Sequence, residues 1–221
     1  MGLLMKVSMT FGATASLEMS VEDMSEDGQT AYLAAHAISA AQEGARAALW
    51  DVLRADIAQR PAAEGAALRQ LATEPLHPTE ELISYLRQMT DARAIENAQK
   101  LIQINREQAQ AQWEMAVIAR DEYYDLMARK GREGQAELER QHRELIKKAR
   151  TDMYARSVLE HDDGYFQTDP FKINMERMAA FDRVALPVLN GEMLQRINIY
   201  KKAELVIEMQ AATIALPSGS K

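Results

Sequence analysis

Four histidines and no cysteine are all that an acid/base, thiolate or metal reading of this chain has to work with. Glu139 and His142, in "ELERQHRE", have the E-x-x-H spacing that di-metal helical bundles use. Such a site needs a second pair facing the first, and the other match, Glu74 and His77, encloses Pro75 in a proline-rich stretch. His142 therefore reads as a helix-seam residue hydrogen-bonded to Tyr123 or to solvent, and no metal is assigned. "LEHDDGYFQTDP" gathers His161, Asp162, Asp163 and Asp169. Aligned on Gly164, a calcium loop would start at Leu159 and end at Pro170, where it requires an acid and a glutamate, so the segment reads as a solvated, helix-terminating loop. The chain has no GxxxxGK[ST] loop, no GxGxxG after a strand and no GxSxG elbow. No catalytic or cofactor-binding residue is assigned, and the expectation is a non-enzymatic protein without a cofactor.

Arg140, Arg143, Lys147 and Arg150 recur at three- and four-residue spacing and fall on one helix face. Such a stripe could meet phosphates. Glu137 and Glu144 flank it, however, and the net charge of -7 gives no global field that would gather nucleic acid. Residues 1–60 carry eight acidic and four basic side chains, while 164–221 carry six and seven.

The elements that must carry these residues are mostly helices, with one exception. In "MKVSMTFGATASLEMSVE" apolar or small residues occupy every odd position from Met5 to Val21. That alternation predicts half-buried strands, over 5–11 and 15–21, joined as a β-hairpin through Gly12. A two-stranded hairpin is marginal by itself. Its apolar face, Val7, Met9, Phe11, Leu17, Met19 and Val21, must lie on the helix that follows or meet another chain, and the second is the expectation: an oligomer interface.

Ser25 and the acids after it open an Ala-rich helix that Pro61 closes. Ala34, Ala35, Ala37, Ala40, Ala41 and Ala45 allow a neighbour to approach closely, and Tyr32, Ile38, Leu49, Trp50, Val52 and Leu53 supply bulk. Residues 61–78 hold three of the six prolines and read as a linker or hinge with one short helix inside it. Leu82, Leu86 and Met89 form a first stripe. A heptad seam then runs Ile95, Ala98, Ile102, Asn105, Ala109, Gln112, Ala116, Ala119, Tyr123, Leu126. Gly131 and Gly134 suggest a turn, after which Leu138, His142, Leu145, Ala149, Asp152 and Arg156 repeat the spacing. Folding back at Gly131 would set Leu126 against Leu138, Tyr123 against His142, Ala119 against Leu145 and Ala116 against Ala149, with Gln112 facing Asp152 and Asn105 near Glu160. After the acidic loop come a helix, a turn or helix start at "NG", and a last segment, 196–209, compatible with helix or strand.

The expected fold is thus mainly α: a β-hairpin and Ala-rich helix (1–60), a linker (61–78), a long antiparallel helical hairpin (79–163), and C-terminal helices with a frayed tail (164–221). Without cysteine, disulfides are excluded. No window suits a membrane span or a secretory signal, so the expected location is the cytoplasm or a particle assembled there. Thirteen methionines give adaptable apolar contacts. The run "ENAQKLIQINREQAQAQWEM" is similar in composition to helical components of phage particles and conjugation machines. The chain is read as a structural or assembly protein that homo-oligomerises through helical seams and the β-hairpin. The alternative is a nucleic-acid-associated regulatory module using the basic stripe.

Overall fold

The computed structural model describes residues 5–11, 15–153, 156–157 and 169–215. The turn at Gly12, the acidic loop 158–168 and the tail 216–221 lie outside them. Strands β1 (Lys6–Phe11) and β2 (Ala15–Ser20) lead through a 3-10 turn, Val21–Asp23, into α1 (Glu26–Ile57). There follow α2 (Ala62–Thr73), α3 (Glu80–Leu86), α4 (Ala92–Ala149) and α5 (Pro170–Pro187). A π-helical segment, Val188–Met193, precedes α6 (Leu194–Ala215). The architecture is mainly α with an N-terminal antiparallel β-hairpin, as the alternation and the scarcity of Gly and Pro require. The last segment is helix: Ile197, Tyr200, Ala203 and Ile207 are buried at helical spacing.

The chain divides into two compact units, each built from two separated stretches of sequence. The first comprises 1–29 and 119–186, the second 30–118 and 187–221.

In the first unit, β1 and β2 pair Val7 with Met19, Met9 with Leu17 and Phe11 with Ala15, which puts the odd-numbered apolar residues on one face. Ser20 and Asp23 cap the 3-10 turn reciprocally. The start of α1 is held by Glu122 of α4, whose carboxylate accepts the Ser25 backbone N–H at 2.8 Å and its hydroxyl at 2.6 Å. Phe181 of α5 lies edge-on to Phe11, with centroids 5.3 Å apart, and contacts Tyr123 at the same distance.

The turn expected at Gly131 is absent, because α4 is one uninterrupted helix of 58 residues. Gly131 and Gly134 sit among Ala128, Lys130, Arg132, Glu133 and Gln135, strong helix formers that outweigh about 1 kcal/mol per interior glycine. The pairings of Leu126, Tyr123, Ala119 and Ala116 with residues 138–149 therefore do not form; Tyr123 and His142 stand roughly 28 Å apart along one axis. A helical hairpin exists nonetheless, with α5 as the returning arm. Gly131 meets Phe171, the Met127 carbonyl accepts from Asn174, and Tyr123 meets Phe181, an antiparallel order. The glycines mark where α5 comes closest: a Cβ on Gly131 would stand 2.9 Å from the Phe171 Cα, and one on Gly134 2.9 Å from the Pro170 Cβ.

In the second unit, Leu53 and Ile57 of α1, Leu68 and Leu71 of α2, Leu82, Ile83 and Leu86 of α3, Leu101 and Ile102 of α4, and Ile197, Tyr200 and Ile207 of α6 form one core. The stretch read as a linker thus contributes core residues through α2. The predicted α4 seam is correct: Ile95, Ala98, Ile102, Asn105 and Ala109 are buried. "NG" is neither turn nor helix start. It lies in the π segment, where Pro187, lacking an N–H, disturbs the regular ladder.

Candidate interaction surface

The structure turns the hairpin residues expected at an oligomer interface toward the interior of the chain. Val7, Phe11, Leu17, Met19 and Val21 are buried within the chain itself, and Met9 is half-buried. Phe11 packs on Phe181. The apolar face is consumed internally because α4 and α5 present an aromatic platform that sequence periodicity did not reveal. What the hairpin shows outward is Lys6, Ser8, Thr10, Ser16 and Glu18, all polar.

Arg140, Arg143, Lys147 and Arg150 are exposed near the end of α4, as their spacing requires. The Arg140 guanidinium donates to both oxygens of Glu137, at 2.8 and 2.6 Å, and Lys147 to Glu144 at 2.9 Å. These bonds hold the Glu137 carboxyl down at about 2 and that of Glu144 below the usual carboxylate range. Half of the stripe is thus neutralised within its own helix.

Polar seam residues of α4 bond to neighbouring elements of the second unit. Asn105, fully buried, donates to the Leu71 carbonyl at 2.7 Å, so its partner is α2 and not the region of Glu160. Gln112 accepts from Arg196 at 3.0 Å in place of facing Asp152, and Gln108 accepts from Arg46. Burial lowers the affinity of both guanidiniums for their protons and pushes the Tyr200 phenol up; that phenol donates to the Pro75 carbonyl at 2.6 Å. The cluster pins α1, α2, α4 and α6 in register.

Glu64, which the sequence reading passed over, is 2% exposed. It accepts from the Thr90 and Asp91 backbone N–H groups at 2.9 and 3.1 Å and anchors the entry to α4. Among the described residues no group of three or more His, Asp or Glu stands where it could hold a metal ion, and no helix is long and apolar enough to cross a membrane. Asp169, from the acidic cluster, caps α5 by accepting from Phe171 and Lys172.

The surface out of keeping with a solvated helix lies on α1. Tyr32, Ala35, Leu53 and Ile57 face the interior. Around the rest of the helix, between Ala31 and Ala48, the exposed side chains are Ala, Leu33 and Ile38, with Glu43 the one charge. Ile38 is 46% exposed and Val52 70%. Beside Ile38 and Ala41 opens a cavity of about 570 Å³, walled by Arg106 and Glu114 of α4 and by Ile197 and Lys201 of α6. Three of its charged groups have partners: Arg106 faces Glu204 at 3.3 Å, Glu107 accepts from Gln42 at 2.6 Å and Glu114 accepts from Gln110 at 2.9 Å. Two carboxylates, Glu107 and Glu114, are among its lining residues, and no histidine is. Its chemistry is that of an apolar seat with a polar rim. Compared with known proteins, the chain matches no family model, no curated protein and no solved structure.

Proposed function

We propose that this protein is a non-enzymatic structural or assembly subunit that homo-oligomerises through its helices, of the kind that builds a phage particle or a similar assembly. The observation that carries this reading is the outer face of α1, where ten of the twelve exposed residues between Ala31 and Ala48 are Ala, Leu or Ile. A helix facing water ordinarily shows charged and polar groups there, and a contiguous apolar patch of this kind marks a contact surface. The hairpin belongs to the internal framework in this reading, so the oligomer forms through helix faces. The Gln- and Ala-rich run of α4 supports a particle subunit. Light scattering over a wide concentration range tests the proposal. The expected mass is an integral multiple of the 24.8 kDa chain; a monomer at every concentration discards the reading.

A further inference from the structure

We infer that the partner seated on α1 is the α1 helix of a second copy, running antiparallel; this rests on the oligomeric reading above and assigns its geometry. Ala31, Ala34, Ile38, Ala41, Ala45, Ala48, Val52 and Ala55 are all exposed and follow one another in alternating steps of three and four. That is an unbroken a/d seam without a polar member. It lies roughly 120° around the helix from the buried stripe, and Glu43 points away on the opposite side.

The seam is self-complementary. About a two-fold axis midway between Ala41 and Ala45, Ala31 meets Ala55, Ala34 meets Val52, Ile38 meets Ala48 and Ala41 meets Ala45. Each bulky side chain faces an alanine, so every layer has similar thickness and the two backbones can approach closely along the whole seam. In a parallel pair Ile38 would meet Ile38 and Val52 would meet Val52, propping the helices apart beside layers of alanine alone. Antiparallel pairing also sets the positive N-terminal end of each helix dipole beside the negative C-terminal end of its partner's, favourable for both.

A stable interface buries about 800 Å² per partner, more than one stripe of small residues supplies. The groove beside Ile38 and Ala41 adjoins the seam and, with its walls on α4 and α6, extends the surface open to the incoming helix. A two-fold contact of this kind is isologous and closes after two copies, so larger assemblies would require a further surface.

The chain has no cysteine, which makes disulfide trapping clean. Full-length Ala34→Cys and Val52→Cys are each oxidised alone and as an equimolar mixture after subunit exchange, with the mass followed by light scattering. The expected result is a cross-linked dimer in the mixture and none in either variant alone, because Ala34 of one copy lies far from Ala34 of the other. Ala41→Glu with Ala45→Glu, at exposed positions that leave the helical circular dichroism unchanged, should abolish the dimer. Self-cross-linking of Ala34→Cys overturns the antiparallel register while leaving the oligomeric reading intact. An oligomer that survives the double Glu variant and traps no disulfide likewise overturns only this inference. A wild-type chain that is monomeric throughout overturns both.

Discussion

Glu64 shows what one buried carboxylate does in this fold. Its Oε1 accepts from two successive backbone N–H groups and stands 3.3 Å from the Thr90 hydroxyl, while Arg60 lies 3.6 Å from Oε2. Replacing it with Ala leaves buried donors without an acceptor, so Glu64→Ala should cost about 2–4 kcal/mol in chemical denaturation; a change below about 0.5 kcal/mol would mean water takes over the carboxylate's role. Glu137 offers a pH test on the surface. Its folded pKa, about 2, is depressed by hydrogen bonds from Arg140 and Gln141. A depressed carboxylate stabilises above its unfolded pKa, and the contribution disappears as pH falls through the folded value. Carboxyl NMR titration should place the Glu137 midpoint near 2 and move it upward in Arg140→Gln. An unmoved midpoint would remove the guanidinium as the cause.

The two classes of glycine in the helices separate intrinsic propensity from packing. Gly44 of α1 has nothing within 4 Å of an added Cβ, so Gly44→Ala should raise stability by about 1 kcal/mol. At Gly131 the same gain in propensity is opposed by the Phe171 Cα, a backbone atom that cannot rotate away. Gly131→Ala should therefore lower the thermal midpoint despite its better propensity, and an increase would show that α5 can shift at little cost. The same comparison explains what the sequence could and could not convey about these elements. Strand alternation, the Ser25 helix start and the seam from Ile95 to Leu126 are local patterns, and all appear in the structure. A glycine in a helix-forming run is ambiguous, since it serves a turn or a close approach equally well, and the choice depends on a helix forty residues further along. Likewise the Ala-rich segment identified α1, but which of its faces points inward depends on α4 and α6; Tyr32 and Leu53 went inside, Ile38 and Val52 outside. Glu64 gave no signal at all, because an acid in an apolar run reads as exposed until the donors that it accepts from are known.

At the scale of the molecule, the hairpin connects strand pairing to the integrity of one compact unit. Val7, Phe11, Leu17, Met19 and Val21 are buried, and the core of the second unit contains none of them. Burying each such side chain contributes about 1.5–3 kcal/mol, so five amount to on the order of 10 kcal/mol, comparable to the whole stability of a typical domain. Deleting the residues before Ser25 also strips Phe181 of its edge-on partner Phe11 and removes the Asp23 carbonyl that accepts from Arg129.

 The Asp23 carbonyl accepts from Arg129 at 3.3 Å in the intact chain, and the ring contact spans 5.3 Å. Both tryptophans, Trp50 and Trp113, belong to the second unit, so their fluorescence reports on it separately. The truncated chain should keep a cooperative tryptophan transition, while hydrogen exchange over 119–149 loses its protection. If the hairpin were only a docking element, the truncated chain would retain protection over 119–149 and differ from the full chain in mass alone. Protection that survives the deletion would therefore return the hairpin to the role of an intersubunit contact, whereas its loss identifies the hairpin as a wall of the core that it shares with α4 and α5.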